Sequence, residues 1–383
     1  MPVSDKKFIL ESLQHVRTIK YMAATQAWCE RYRDFSAKAS FMSFKSSMLN
    51  IFINVLADLL IMLTAVAVMV MGTIEILANT MSVGALIAIM MIVWRILSPV
   101  KLLFSSQTRL NQLRSSIQQV NALMSIPTEY NATINYNKMS PLKGSIRFNH
   151  VSVRYPNAND FALMNVSFSV NPHEVVAIIG RNGSGKSTLF KLLLGLYKPQ
   201  SGSIYIDNHD IRQLTLLTLR TQIGYVPEKL YLFCGSIAQN LYLVKPTATE
   251  EELKKAIKLA GLEEDIQLLP NGLETQLDDQ SHIRLPTSFL QRLSLACTYL
   301  KNPSVILLDE PASVLDSKGE KSLLDAIEYF RGKATIFLIS HQPRYFKLAD
   351  KILLFHEGQL LLAGNAEKLI ARIPKEFCNE ELT

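Results

Sequence analysis

The stretch GRNGSGKST at 180–188 combines glycines, one lysine and hydroxyl side chains in the spacing G-x-x-x-x-G-K-[ST]. Gly180, Gly183 and Gly185 allow the backbone to wrap closely around phosphate groups. The successive N–H groups of Arg181, Asn182, Ser184 and the helix start that follows then face the anion. Lys186 supplies a positive charge to the β- and γ-phosphates of a nucleoside triphosphate. The Ser187 hydroxyl is placed to bind Mg²⁺, and Thr188 continues the phosphate contacts. The apolar run VVAII directly precedes the motif. Its context is therefore strand, loop, helix, in which a chance match is uncommon.

A second constellation is VILLDEP at 305–311. Asp309, at the end of an apolar strand, would hold Mg²⁺ through water. Glu310 beside it could polarise an attacking water as a general base. An Asp-Glu pair alone is commonly just a helix cap. At the end of a buried strand in a chain that also carries the phosphate motif, the catalytic reading is favoured. The implied cofactors are ATP and Mg²⁺.

These residues need a scaffold, and the composition describes one with two parts. The 383-residue chain is 48% hydrophobic and 19% charged, with a mean hydropathy of +0.15. That is too apolar for an ordinary soluble enzyme and too polar for an all-membrane protein. The net charge of +7 reads as positive flanks beside membrane spans. The basic residues are dispersed without an interleaved aromatic stripe, which argues against nucleic acid as a partner. Cys29, Cys234, Cys297 and Cys378 lie far apart, match no zinc or disulfide spacing, and read as reduced thiols. The first thirty residues are charged and amphipathic, unlike a signal peptide.

Residues 1–47 carry many bases and a helical apolar spacing at Ile9, Leu13, Val16 and Ile19. Residues 48–124 hold two apolar stretches near the roughly 20 residues that span a bilayer, joined by a loop around 74–82. Bases crowd the outer flanks, so both ends face the cytosol by the positive-inside rule. Asn50, Asn54 and Asp58 share one helix face, which would face protein or water rather than lipid. Asp58 and Arg95 are expected at similar depth and to pair, unless each faces an aqueous cavity. Residues 125–143 are rich in Asn and Pro and read as a linker. From Gly144, in the segment 144–383, strand-like and helical patterns alternate, with continuous apolar runs typical of buried parallel strands.

With SVLD at 313–316 and LISH at 338–341 added to the two motifs, residues 144–370 resemble the ATPase domain of ABC transporters. The resemblance makes Tyr155, in VRYP, the ring that stacks on adenine. It makes His341 the γ-phosphate sensor beside Glu310, and it places Asp316 at a dimer interface. The N-terminal part resembles the last third of an exporter-type membrane domain. The implied fold is an α-helical transmembrane hairpin followed by an α/β P-loop ABC ATPase domain. ESLQHVRTIKYMAATQAWCERY at 11–32 resembles the segment with the second coupling helix. That helix is expected at about Ala24–Arg31, with Trp28 inserted into a groove on a partner's ATPase domain. The other reading packs Trp28 in its own core. MSVGALIAIMMIVWRILSPV at 81–100 resembles the final span of bacterial type I secretion and bacteriocin exporters. The resemblance implies a bacterial inner-membrane location, a protein or peptide cargo, a second half-transporter, a membrane-fusion adaptor and an outer-membrane channel.

The chain departs from that pattern in three places. It shows two spans where the family has six, so it is expected to be a fragment or a shortened gene product, or the remaining spans to lie on another chain. In YVPEKLYLF at 225–233, Glu228 stands where the family has a glutamine that ligates Mg²⁺; it could still coordinate the ion with Ser187 and Asp309 but adds negative charge beside the phosphates. The family's LSGGQ signature, which contacts the γ-phosphate held by the opposite subunit, aligns with Leu285, Pro286, Thr287, Ser288 and Phe289. Pro286 has neither a hydroxyl nor an N–H. Thr287 and Ser288 place side chains where bare backbone must approach, and Phe289 replaces a polar residue. DDQSH at 278–282 also departs from the usual run.

A homodimer would pair two good phosphate sites with two poor signatures. A heterodimer whose partner carries an intact signature would restore one full site, built on Lys186, Glu310 and His341. The expected function is an ATP-hydrolysing subunit of an exporter of proteins or peptides. A lipid or drug exporter subunit, a catalytically weak regulatory subunit and a decayed remnant are the alternatives. A soluble P-loop enzyme is disfavoured by the hairpin.

Overall fold

The computed structural model describes residues 3–126, 128–129, 142–156, 158–229, 232–277 and 285–370. Most of the expected linker and all of DDQSH lie outside these residues, as does Cys378. The chain divides into two compact units, Met1–Pro127 and Thr128–Thr383.

The first unit is helical: α1 (Val3–Gln14), α2 (Val16–Tyr21), α3 (Thr25–Leu77) and α4 (Val83–Met124). The expected boundary at 47/48 falls inside α3, which runs unbroken for 53 residues. The switch there from charged to apolar side chains changes the surroundings the helix suits, not its backbone preference. The segment Thr25–Leu77 is long and apolar enough to cross a membrane. In α4 the apolar stretch is Val83–Leu97, shorter than the roughly 20 residues a span needs. Ser82 caps α4, its hydroxyl accepting from the Ala85 N–H at 3.2 Å. Gly72 is buried on α3, and a side chain there would run into Leu86 of α4. The missing side chain lets the two helices close together.

The second unit carries β1 (Ile146–Val153), β2 (Leu163–Val170), β3 (Val175–Gly180), α5 (Lys186–Leu193), β4 (Ser201–Ile206), β5 (His209–Asp210), α6 (Leu216–Gln222) and β6 (Ile223–Val226). Then come β7 (Gly235–Ser236), α7 (Ile237–Val244), α8 (Glu250–Leu259), α9 (Glu263–Gln267), β8 (Gln276–Leu277) and α10 (Thr287–Leu300). The chain ends through β9 (Val305–Asp309), α11 (Ser317–Phe330), β10 (Thr335–Ile339), α12 (Pro343–Leu348), β11 (Lys351–His356), β12 (Gln359–Asn365) and α13 (Ala366–Leu369).

A central sheet has the order β12-β11-β3-β10-β9-β6, parallel except for β12. Strands β3, β9 and β10 are buried at every position, as strands covered on both faces must be. An antiparallel sheet, β2-β1-β4-β5, lies beside it, and its β1 alternates buried and exposed positions along much of its length. The register sets the chemistry. Ile339 is paired with Ile178 on one side and with Asp309 on the other. The loops after β3, β9 and β10 therefore leave the sheet at one level and one edge, where ligands bind in open α/β sheets.

Candidate functional site

The phosphate loop joins β3 to α5, and two of its glycines have separate uses. Gly183 sits at φ +81°, and a Cβ there would meet nothing within 4 Å, so the loop stays open at that point. Gly185, at φ +97°, packs so closely that a Cβ would lie 2.5 Å from the Ala162 carbonyl oxygen. Both positions therefore favour glycine, the second for space as well as conformation. The Lys186 ammonium is buried and donates to the carbonyls of Gly180 at 2.6 Å and Arg181 at 2.9 Å. Burial pulls its pKa down, and the nearby Glu310, Asp309 and Glu228 oppose that shift.

Ser187 Oγ donates to Asp309 Oδ1 at 3.2 Å, across 122 positions of sequence. Burial pushes the Asp309 carboxyl up to about 6, helped by Glu228 and Glu310 and resisted by Ser187 and Lys186. Among the described residues no cluster of three or more His, Cys, Asp or Glu forms a metal site. One hydroxyl and one carboxylate side by side instead fit Mg²⁺, which binds through few protein ligands together with phosphates and water. That ion would neutralise charge on a triphosphate held at Lys186. Glu228 acts on this pair electrostatically, through its effect on both Lys186 and Asp309.

Glu310 follows Asp309 in a left-handed conformation, φ +46°, with its N–H bonded to the Ile339 carbonyl at 3.1 Å. Its carboxylate Oε1 lies 3.2 Å from His341 Nε2, at ion-pair distance but without hydrogen-bond geometry. The His341 ring holds the Glu310 carboxyl below its usual range, against the effect of burial. A carboxylate kept ionised and oriented this way is suited to accept a proton from water. Tyr155 lies beyond the end of β1, and its hydroxyl is 2.9 Å from Thr188 Oγ1. The phosphate loop, both acids, His341 and Tyr155 are thus gathered from four strand ends.

The remaining expected residues sit elsewhere. Asp316 caps α11, its Oδ1 accepting from the Gly319 N–H at 2.9 Å. Pro286 precedes α10 and offers it no side-chain cap, while Thr287 begins that helix. Leu285 is partly buried against the core. Phe289 is itself a core residue, only 4% exposed, in the same cluster as Leu253 and Leu293. An apolar residue there satisfies the packing of α10 rather than presenting a polar group.

The stretch expected to be a coupling helix, 24–31, is not a separate helix. Ala24 caps α3 and the residues that follow are its first turns. The chain breaks earlier, at Ala23 (φ +50°), where the Ala24 N–H bonds back to the Ile19 carbonyl at 3.0 Å. Trp28 stacks on Phe8 at 5.1 Å, and its Nε1 donates to Ser12 Oγ at 2.8 Å. The short helix between longer ones is α2, and the exposed apolar residues at its end are Tyr21 and Met22.

Sequence reasoning passed over two features. Arg292 is 4% exposed and donates to Asp265 Oδ2 at 2.6 Å and the Gly261 carbonyl at 2.7 Å, tying α10 to the α8–α9 region. Its place three residues after Phe289 was the only available signal. A cavity of about 1010 Å³ is lined by Leu217, Tyr225, Phe233, Leu243 and Lys301, among others. Those residues are scattered in sequence, so no local pattern marks it.

The fold and site define a helical membrane region followed along the chain by an ATP-binding cassette domain. The family described as "ABC transporter" matches residues 163–313, and that described as "ABC transporter transmembrane region" matches 6–100. The chain is 32% identical over 370 residues to the cyclolysin secretion/processing ATP-binding protein CyaB of Bordetella pertussis, covering 96% of this chain and 51% of that protein. It is 36% identical over 230 residues to the ATP-dependent lipid A-core flippase of Methylobacillus flagellatus, covering 60% of this chain and 39% of that protein. A solved structure of a bacterial Atm1-family ABC exporter with ATP bound superposes with a TM-score of 0.84 at 26% identity, over 95% of this chain and 64% of that one. In fold the chain resembles ABC exporters, and it carries matches to both of the transporter family models named above. It spans about half the length of the curated relatives it matches.

Proposed function

We propose that this chain binds and hydrolyses Mg-ATP as one subunit of a membrane exporter. The carrying observation is the convergence of Lys186, Ser187, Asp309, Glu310 and His341 at one edge of adjacent parallel strands. Lys186 and the loop amides hold the triphosphate, Ser187 and Asp309 hold Mg²⁺, and Tyr155 carries the adenine. Glu310 takes the proton of the attacking water while His341 orients it.

The α10 start supports a division of labour between two chains. Pro286 lacks a donor and Phe289 is committed to the core, so this chain serves its partner's nucleotide poorly. Asp316, exposed at the start of α11, faces that partner. The partner is a second half-transporter with an intact signature, and the working assembly is a heterodimer in a bacterial inner membrane. Its α2-equivalent helix docks in the Leu217–Phe233–Leu243 cavity, while Tyr21 and Met22 of this chain dock in the partner. Asp58 and Arg95 pair within the membrane. Protein or peptide is the cargo, as the name of the cyclolysin relative suggests, with an adaptor and an outer-membrane channel beyond. The flippase relative favours lipid as the second reading.

The test is ATP turnover by the purified full chain, alone and with a candidate partner. Turnover that needs the partner and is lost in Glu310→Gln supports this function. Ordinary turnover by the chain alone, lost in Glu310→Gln, overturns the heterodimer and keeps the ATPase.

A further inference from the structure

The base-stacking Tyr155 is held by residues from the same helix that binds the phosphates. Its ring meets Tyr197 edge-on, with centroids 4.9 Å apart and planes at 89°. Its hydroxyl lies 2.9 Å from Thr188 Oγ1 and 3.4 Å from Lys191 Nζ. The same ammonium is 5.3 Å from the ring centroid. Thr188 and Lys191 stand three positions apart on α5 and so share a face. Tyr197 reaches Tyr155 because α5 ends in a tight turn. Gly195 is at φ +66°, its N–H bonds to the Leu192 carbonyl at 3.0 Å, and the Leu196 N–H bonds to Lys191 at 2.9 Å. That pair of bonds is a Schellman ending, which reverses the chain at a glycine. Tyr197 itself is partly buried against the core of the unit, so it is a fixed wall.

We propose that Tyr197 and Lys191 are positioning residues that hold Tyr155 as a purine platform in register with the phosphate loop. The proposal rests on the nucleotide-binding reading above. The Tyr197 edge sets the tilt of the ring, and Lys191 with Thr188 sets its hydroxyl end. An aromatic pair of this kind is worth about 0.5–1.5 kcal/mol beyond burial. Its loss therefore weakens ATP binding about two- to tenfold.

The test uses calorimetric titration of the full chain in lipid nanodiscs, with ATP and with inorganic tripolyphosphate as separate probes. Tyr197→Ala is expected to weaken ATP about two- to tenfold and leave tripolyphosphate unchanged, because Tyr197 meets the ring of Tyr155 rather than the phosphate loop. Tyr197→Phe keeps the ring edge and is expected to restore wild-type affinity. Lys191→Met is expected to weaken ATP about two- to fivefold. Unchanged ATP affinity in Tyr197→Ala overturns the proposal. Equal weakening of both probes also overturns it, since the residue then supports the loop in general. If the wild-type chain binds neither probe, the nucleotide-binding reading itself falls.

Discussion

Glu310 and His341 follow the ends of different strands, yet His341 Nε2 stands 3.2 Å from Glu310 Oε1. The contact exists because β9 and β10 are neighbours in register, Asp309 opposite Ile339. Each strand then releases one functional side chain just past its end.

Glu310→Gln is therefore expected to lower ATP turnover by about 10²–10⁴-fold, the usual contribution of a general base. ATP affinity stays near wild type. His341→Ala is expected to follow the same pattern with a smaller loss. Steady-state turnover beside equilibrium binding checks both.

The burial of Phe289 bears on the proposed signature at the start of α10. Because it is buried in the core, Phe289→Gln puts an amide among apolar side chains and costs about 3 kcal/mol or more. The triple variant Pro286→Ser, Thr287→Gly, Ser288→Gly leaves that core intact. It is expected to raise turnover of the chain alone, while the four-residue replacement lowers thermal stability. Turnover and melting temperature measured together separate the two effects.

Arg292 pairs with Asp265 while 4% exposed. Arg292→Ala removes both bonds and leaves Asp265 with Lys318 alone, at 3.6 Å, and is expected to cost about 1–3 kcal/mol. Denaturant unfolding of the full chain reads the loss. Arg292→Lys is expected to recover part of the loss, since a single nitrogen, Nη1, makes both bonds and an ammonium carries three donors.

Gly72 lies against Leu86 between α3 and α4. Gly72→Leu is expected to force the helices apart at about 1–3 kcal/mol. Gly72→Ala, with one added carbon, is expected to cost less. Crosslinking yield between cysteines placed on the two helices at that level checks the separation.

Much of the site was legible in the sequence because its parts are local. The spacing of Gly180 to Thr188 specifies a loop by itself, and Asp309 with Glu310 closes an apolar run that can only be a buried strand. The helices were equally readable, but their boundaries were not. Charge falls away near residue 47 while α3 continues, since bilayer preference is written in side chains and helix continuity in the backbone. The partners of Trp28 were hidden for a related reason. An exposed-looking aromatic in an amphipathic stretch has no visible partner until α1 folds back and brings Phe8 and Ser12 to it.

The sequence by itself determined the chemistry available: a phosphate loop, a hydroxyl and a carboxylate that would hold Mg²⁺, and a second carboxylate that would serve as a base. The tertiary structure decided which residues meet. It set Ser187 against Asp309, Glu310 against His341 and Tyr155 against Tyr197, and it sank Phe289 into the core. Those pairings depend on strand register and on turns such as that at Gly195, which join groups distant along the chain. Local spacing carries no information about such contacts, because they are fixed by which strands lie side by side.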